Sequence, residues 1–222
     1  MLTLQPSGEV RRPFSHEGID PLGIVGSSPG FPLQVAREIE LGIEGVGRTG
    51  VITVGALITM AAHLEGKGAS VLDFTGFAQK FGPVLSFIRL SNKPEDINQV
   101  RIDEGAADAL IGCDIVVSSS PKASIAYREG MRAVINMAEM PTGDIVRDRD
   151  ASLATPVRLA SIERLIGSEN LARFDANRAA EALFGDTVFA NVMMLGATWQ
   201  LGLIPVTFEA LNARHRTQRC RH

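Results

Sequence analysis

Between Ile39 and Phe74 the chain carries the pattern that most narrows its fold. Ile39, Leu41 and Ile43 alternate with Glu40, Gly42 and Glu44, the period of a β-strand. Gly45-Val46-Gly47-Arg48-Thr49-Gly50 follows at once. Val51 to Glu65 is then apolar nearly all round (Val51, Ile52, Val54, Leu57, Ile58, Met60, Ala61, Leu64), which predicts a deeply packed helix. Gly66 and Gly68 stop it, and Ser70 to Phe74 reads as a second strand. Strand, glycine turn, buried helix and strand make a Rossmann-like βαβ opening.

Further along, Val84 to Leu90 predicts a strand, Lys93 to Asp96 a turn and Glu104 to Ile111 a short helix. Asp114 to Val117 reads as an apolar strand running into Ser118-Ser119-Ser120. Ala133 to Asn136 reads as another strand, ending near a turn at Pro141-Thr142-Gly143-Asp144. The last third is helical in pattern, with Asn177 to Phe184, Thr187 to Leu201 and a final helix through Leu211 that Thr207 could cap. The expectation is an α/β three-layer sandwich with a mainly parallel sheet and a helical C-terminal third.

Residues 1–32 interleave Pro6, Pro13, Pro21, Pro29 and Pro32 with glycines, so no period survives. They read as an extended or poorly ordered arm, or as a loop wrapped over the domain surface. Residues 33–212 form one α/β domain and residues 213–222 a basic tail. That tail carries Arg214, Arg216, Arg219 and Arg221 without an acid. Since the whole chain has a formal charge of −3, the body is acidic and lacks the basic field a nucleic-acid partner needs. Cys113 and Cys220 are too few thiols for an iron–sulfur cluster or a four-thiolate zinc site, and no metal site is expected. No signal-peptide pattern opens the chain, and Val51 to Ala62 is too short to cross a bilayer. A soluble, cytoplasmic protein with neither membrane nor nucleic-acid partner is expected.

The residues able to hold a ligand gather around the glycine turn. Gly45, Gly47 and Gly50 satisfy G-x-G-x-x-G between strand and helix. In that motif Gly45 permits the turn, Gly47 lets a ligand approach the backbone, and Gly50 lets helix and strand pack closely. Thr49 lies beside them, and Arg48 could either reinforce an anion site or fill it. Against this stands an ordinary glycine-rich turn that binds nothing. Asp73 falls near the position of a ribose-reading acid, or simply solvates a strand end. Lys80, between Gly76 and Gly82, could reach a ligand or solvate a turn. Ser118, Ser119 and Ser120 would emerge at the same carboxyl edge, or form a plain polar loop. Cys113 reads as a small core residue. No nucleophile elbow, HExxH or P-loop lysine is present, so no catalytic residue is named.

The stretch Gly45 to Leu57, then Met60 to Gly68 and Val71 to Lys80, resembles the gamma domain of 2-oxoacid:ferredoxin oxidoreductases, nearest the indolepyruvate type of bacteria. Pro141-Thr142-Gly143-Asp144, Gly185-Asp186, Asn191 and Met194-Leu195-Gly196 continue the likeness, which spans Ile39 to Leu211. The resemblance implies a subunit of an enzyme that decarboxylates a 2-oxo acid to an acyl-CoA. Thiamine diphosphate and [4Fe–4S] clusters would sit on partner chains and ferredoxin would be served indirectly. Coenzyme A would meet this chain at Gly45, Gly47, Arg48, Thr49, Gly50, Asp73, Lys80 and Gly82. The chain departs from the family in Arg48, where glycine is usual, in Phe81-Gly82 for a Gly-Gly pair, and in both ends. Two rival readings follow: a non-catalytic truncated remnant of that domain, and a free-standing dinucleotide-binding module.

Overall fold

The computed structural model describes residues 3–4, 10–11, 39–46, 50–75, 83–138 and 154–213. Strands β1 (Thr3–Leu4) and β2 (Val10–Arg11) form a small antiparallel pair. All other described strands belong to one sheet: β3 (Ile39–Val46), β4 (Gly68–Thr75), β5 (Pro83–Ser91), β6 (Ala109–Gly112), β7 (Arg132–Asn136) and β8 (Leu171–Phe174). Their order is β4-β5-β3-β6-β7-β8. From β3 to β8 every pairing is parallel, while β5 runs antiparallel to both β3 and β4. The predicted βαβ unit is thus present but split. Helix α1 (Val51–Leu64) carries the chain to β4, and the return strand β5 then slots between the two parallel strands.

Two apolar clusters lie on opposite faces of this sheet, giving three layers. On one face, Val54 and Ile58 of α1 pack with Val84, Ile88, Ile111 and Val134. Helices α5 (Ala176–Phe184), α6 (Ala190–Gln200) and α7 (Phe208–Leu211) complete that layer. On the other, Phe87, Leu110 and Ile135 meet helices α2 (Ile115–Ser118), α3 (Pro121–Ser124) and α4 (Thr155–Ile166). Thr207 accepts a hydrogen bond from Ala210 N and caps α7, as its sequence predicts.

Four expectations need correction. The helix read over 104–111 is irregular chain followed by β6, because Ala109 to Gly112 is fully buried between β3 and β7. The strand read over 114–117 is the helix α2, whose first turn is closed by Asp114 Oδ1 accepting from Val117 N at 2.9 Å. A short apolar run fits either state, and the capping carboxylate decides this one. Strand β8 lies within the segment read as helical, where Leu171 to Phe174, among the described residues, pairs with β7. Nor is α1 buried all round: Ile52, Met60 and Leu64 stand about half exposed. The readings of residues 1–32, the 141–144 turn and the basic tail beyond residue 213 fall outside the described residues, apart from β1 and β2.

The end of α1 is tied to the start of α7. Glu65 Oε1 accepts from Thr207 N at 2.6 Å, and Lys67 bridges Glu65 at 2.7 Å while donating to Pro205 O. Burial pushes the Glu65 carboxyl up, but the bonds from Lys67 and Thr207 and the lysine charge outweigh it, leaving its pKa lowered. A lowered folded-state pKa stabilises the fold above the ordinary glutamate range, and that contribution is lost as pH falls through the folded value. Glu65→Gln should therefore be less stable than the parent near pH 7, with the gap closing near pH 3. Urea unfolding at the two pH values checks this.

Candidate functional site

In open α/β sheets ligands gather at the carboxyl edge of the parallel strands. Here that edge is levelled by β5: Gly45 pairs with Val84, and Val84 pairs in turn with Thr75. The ends of β3 and β4 and the start of β5 therefore stand side by side, and α1 begins only a short turn beyond β3. Gly47, Arg48 and Thr49 in that turn, and Lys80 and Gly82 between β4 and β5, lie outside the described residues. Their anchoring strand ends are adjacent. Around the glycine motif and the Asp73–Gly82 region, Gly45, Gly50 and Asp73 are the candidates whose positions are described.

Two glycines play other parts than the motif suggests. Gly45 does not make the turn but continues the β3 ladder opposite Val84. Gly50 is the residue that starts α1, at φ 91° and ψ 19°, in the left-handed region. A Cβ there would meet nothing nearer than Thr53 Oγ1 at 3.9 Å, so backbone conformation and not close packing requires glycine. The glycine under the helix is Gly55, where a Cβ would rest 3.6 Å from Ile88 Cδ1. The N–H groups of the first turn of α1 have no intrahelical carbonyl to bond, and no acidic side chain sits in that turn. Such a helix start favours an anion.

Asp73 stays on this edge, exposed, accepting a hydrogen bond from Ser86 Oγ directly across the β4–β5 ladder. Its strand is separated from β3 by β5, about 10 Å away at the usual strand spacing. A ribose-reading acid works from the strand next to the glycine strand, so Asp73 fits the strand-end reading better.

The serines do not line the edge. Ser118 is buried and donates to Asp114 O at 2.7 Å, Ser120 caps α3 by accepting from Ala123 N, and Ser119 accepts from Arg158 Nη1 at 2.9 Å. They follow a helix instead of a strand, and their hydroxyls are engaged in local structure.

Sequence reasoning missed Asn136, at the carboxyl end of β7. Its Nδ2 donates to Cys113 O at 3.2 Å and Asn177 Oδ1 at 2.9 Å, and its Oδ1 accepts from Ala138 N and Ala176 N. One buried amide thereby joins the exits of β6 and β7 to the start of α5. A polar residue closing the apolar run Ala133-Val134-Ile135 was the available signal. Cys113 is buried in the core, as expected. Asp114 beside it is buried. Desolvation pushes its carboxyl above the usual aspartate range, against the lowering pull of the Val117 and Val116 N–H groups and the Arg158 charge. Among the described residues no group of three His, Cys, Asp or Glu could hold a metal ion, and no helix is long and apolar enough to cross a membrane.

The family model for pyruvate ferredoxin/flavodoxin oxidoreductase matches residues 40–218. The indolepyruvate oxidoreductase subunit IorB of Pyrococcus horikoshii is 28% identical over 181 residues, covering 78% of this chain and 82% of that one. Among solved structures, the pyruvate oxidoreductase subunit PORC of Thermotoga maritima superposes with a TM-score of 0.55 at 18% identity, over 79% of this chain and 82% of that one. The 2-oxoglutarate:ferredoxin oxidoreductase of Magnetococcus marinus, solved with 2-oxoglutarate, coenzyme A and succinyl-CoA, superposes with a TM-score of 0.53 at 16% identity. There the match covers 79% of this chain but 26% of the other.

Two stability measurements test the local geometry. Gly50→Ala should lose about 1–2 kcal/mol from its left-handed backbone, while Gly55→Ala, mid-helix, should be neutral or gain up to about 1 kcal/mol. Asp114→Asn keeps a capping oxygen but no charge. Because the folded pKa of Asp114 is raised, the parent loses stability as pH rises from the ordinary aspartate range through the folded value. The asparagine variant should match the parent at low pH and equal or exceed it near neutrality, read as the thermal midpoint against pH.

Proposed function

Since the chain belongs to the pyruvate ferredoxin/flavodoxin oxidoreductase family, we propose that it is the gamma-type subunit of a 2-oxoacid:ferredoxin oxidoreductase acting on an indolepyruvate-like acid. The full reaction takes a 2-oxo acid anion, coenzyme A and two oxidised ferredoxins to an acyl-CoA, carbon dioxide, two reduced ferredoxins and a proton. The observation that carries this reading is the family match along residues 40–218, supported by likeness to IorB over most of both chains. With two cysteines in all, the chain cannot supply the four thiolates of a cluster. Electron transfer and thiamine chemistry belong to partner chains, and this chain works as one part of an enzyme.

Its own contribution is an anion-binding edge. The first turn of α1, entered through Gly50 and free of acidic side chains, offers N–H groups to a phosphate of coenzyme A. Gly45 on β3 and Asp73 on β4, with Gly47, Arg48 and Thr49 ahead of the helix and Lys80 and Gly82 between β4 and β5, would complete the contact. The presence of coenzyme A in the Magnetococcus enzyme supports that ligand class. Such a site positions a thioester-forming thiol without needing a catalytic side chain of its own.

The test is assembly followed by kinetics. Tagged full-length chain, purified anaerobically from its host, should bring down large partners with the broad visible absorbance of iron–sulfur clusters. In that complex, Gly47→Val and Lys80→Ala should raise the KM for coenzyme A at least several-fold and leave the KM for the 2-oxo acid unchanged. A colourless single chain would favour the remnant reading. Unaltered coenzyme A kinetics in both variants would remove the proposed edge.

A further inference from the structure

An apolar surface unused by the fold lies between α5 and α6. Leu183, Phe184, Val188, Phe189 and Val192 are 44, 54, 63, 43 and 48% exposed, though they fall within ten residues of one another. The rings of Phe184 and Phe189 contact each other with centroids 5.2 Å apart. Together the five expose several hundred Å² of apolar surface, the scale at which a patch on a soluble protein marks an interaction site. The patch is also rigidly presented. Gly185 ends α5 in the left-handed conformation, donating to Glu181 O, and Asp186 Oδ1 accepts from Val188 N at 2.8 Å to start the next turn. An anchor held in place before binding loses little entropy on docking.

Its direction follows from α6. Arg132 Nη1, at the start of β7, donates to Leu201 O just past the end of α6, so that end stands at the amino edge of the sheet. The following segment meets the end of α1 through Glu65 and Lys67 at the same edge. An eleven-residue helix rises about 16 Å. The start of α6, with the patch beside it, therefore stands at the carboxyl edge that also carries the glycine turn.

Charge separates the two kinds of occupant. Over residues 176–200, which hold both helices and their connection, the charged side chains are Arg178, Glu181 and Asp186, a net charge of −1 with both acids nearest the patch in sequence. A second copy of this chain seated symmetrically on the patch would set Glu181 and Asp186 against their own counterparts, which is repulsive. A different chain with an apolar pocket and a basic rim would be attracted. We propose that the Phe184–Phe189 patch is the anchor by which this chain docks onto another subunit of its oxidoreductase, whose contact surface is apolar with a basic rim. This rests on the reading of the chain as an enzyme subunit, and it places the partner over the edge where the proposed coenzyme A contact lies.

Co-expression of the full chain with the thiamine-binding and iron–sulfur chains of its host's enzyme, with the tag on a partner, tests the surface. Phe184→Glu and Phe189→Glu should each lower co-purification at least about tenfold, as expected for buried aromatic anchors. Their thermal midpoints as isolated chains should stay within a few degrees of the parent. Glu181→Lys should weaken capture several-fold, and Val157→Glu, at a 70% exposed position on α4, should leave it unchanged. Parental capture of both phenylalanine variants overturns the docking surface and leaves the subunit reading intact. So does a parent chain that forms a dimer by light scattering which those variants split. A parent that no partner captures overturns the subunit reading, and the docking surface with it.

Discussion

The two antiparallel ladders of β5 set the geometry that the rest of the sheet accommodates. Eight residue pairs tie β5 to β3, from Ile39–Leu90 to Val46–Pro83, and eight more tie it to β4, from Gly68–Ser91 to Thr75–Val84. A βαβ crossover with nothing inserted would have laid β4 beside β3. With β5 between them, β4 becomes the edge strand and Asp73 moves one strand further from the glycine turn. The same insertion brings the β4–β5 connection, with Lys80 and Gly82, onto the strand next to β3. One topological step thus loosens a dinucleotide-type arrangement and sets the start of β5 beside the end of β3.

How much of this was legible in the sequence depends on what each residue had to satisfy. Strands β3, β4, β5 and β7 and helices α1, α5 and α7 could be read because their apolar periods or caps are local, as with Thr207 before α7. Segments 104–112 and 114–118 could not, since Leu110 and Val117 are equally buried whichever element holds them. There the decision lies with Asp114, whose carboxylate closes a helical turn, and with Gly112. A Cβ on Gly112 would come 2.4 Å from Ile135 Cδ1, so glycine lets β6 settle against its neighbours. Neither fact has a one-dimensional signature. The motif at residues 45–50 was visible, but the division of labour among its glycines depends on φ angles that spacing does not encode.

Two buried polar groups, Asn136 and Asp114, lie at the carboxyl edge. Asn136 has its amide oxygen and nitrogen engaged by four partners, which is how a buried polar side chain adds specificity without a desolvation penalty. Asp114, one strand away, shows the opposite balance, since desolvation outweighs its hydrogen bonds and raises its pKa. The amide fixes where β6, β7 and α5 meet, and the carboxylate converts the chain after β6 into a helix. Both hold the scaffold behind the edge.

In the proposed reading, the described part of this edge acts through the backbone donors at the start of α1, and this shapes how such a chain contributes to an enzyme. Helix-start N–H groups can hold a phosphate but neither transfer a proton nor carry an electron, so in that reading the reacting atoms come from across an interface. The exposure of Phe184 and Phe189 on that side of the molecule then has a physical reason. Docking there would exclude water from the edge, lower the local dielectric and strengthen the attraction between the helix start and an anion. Assembly and ligand binding would be coupled through that shared desolvation, with no conformational change required in this chain.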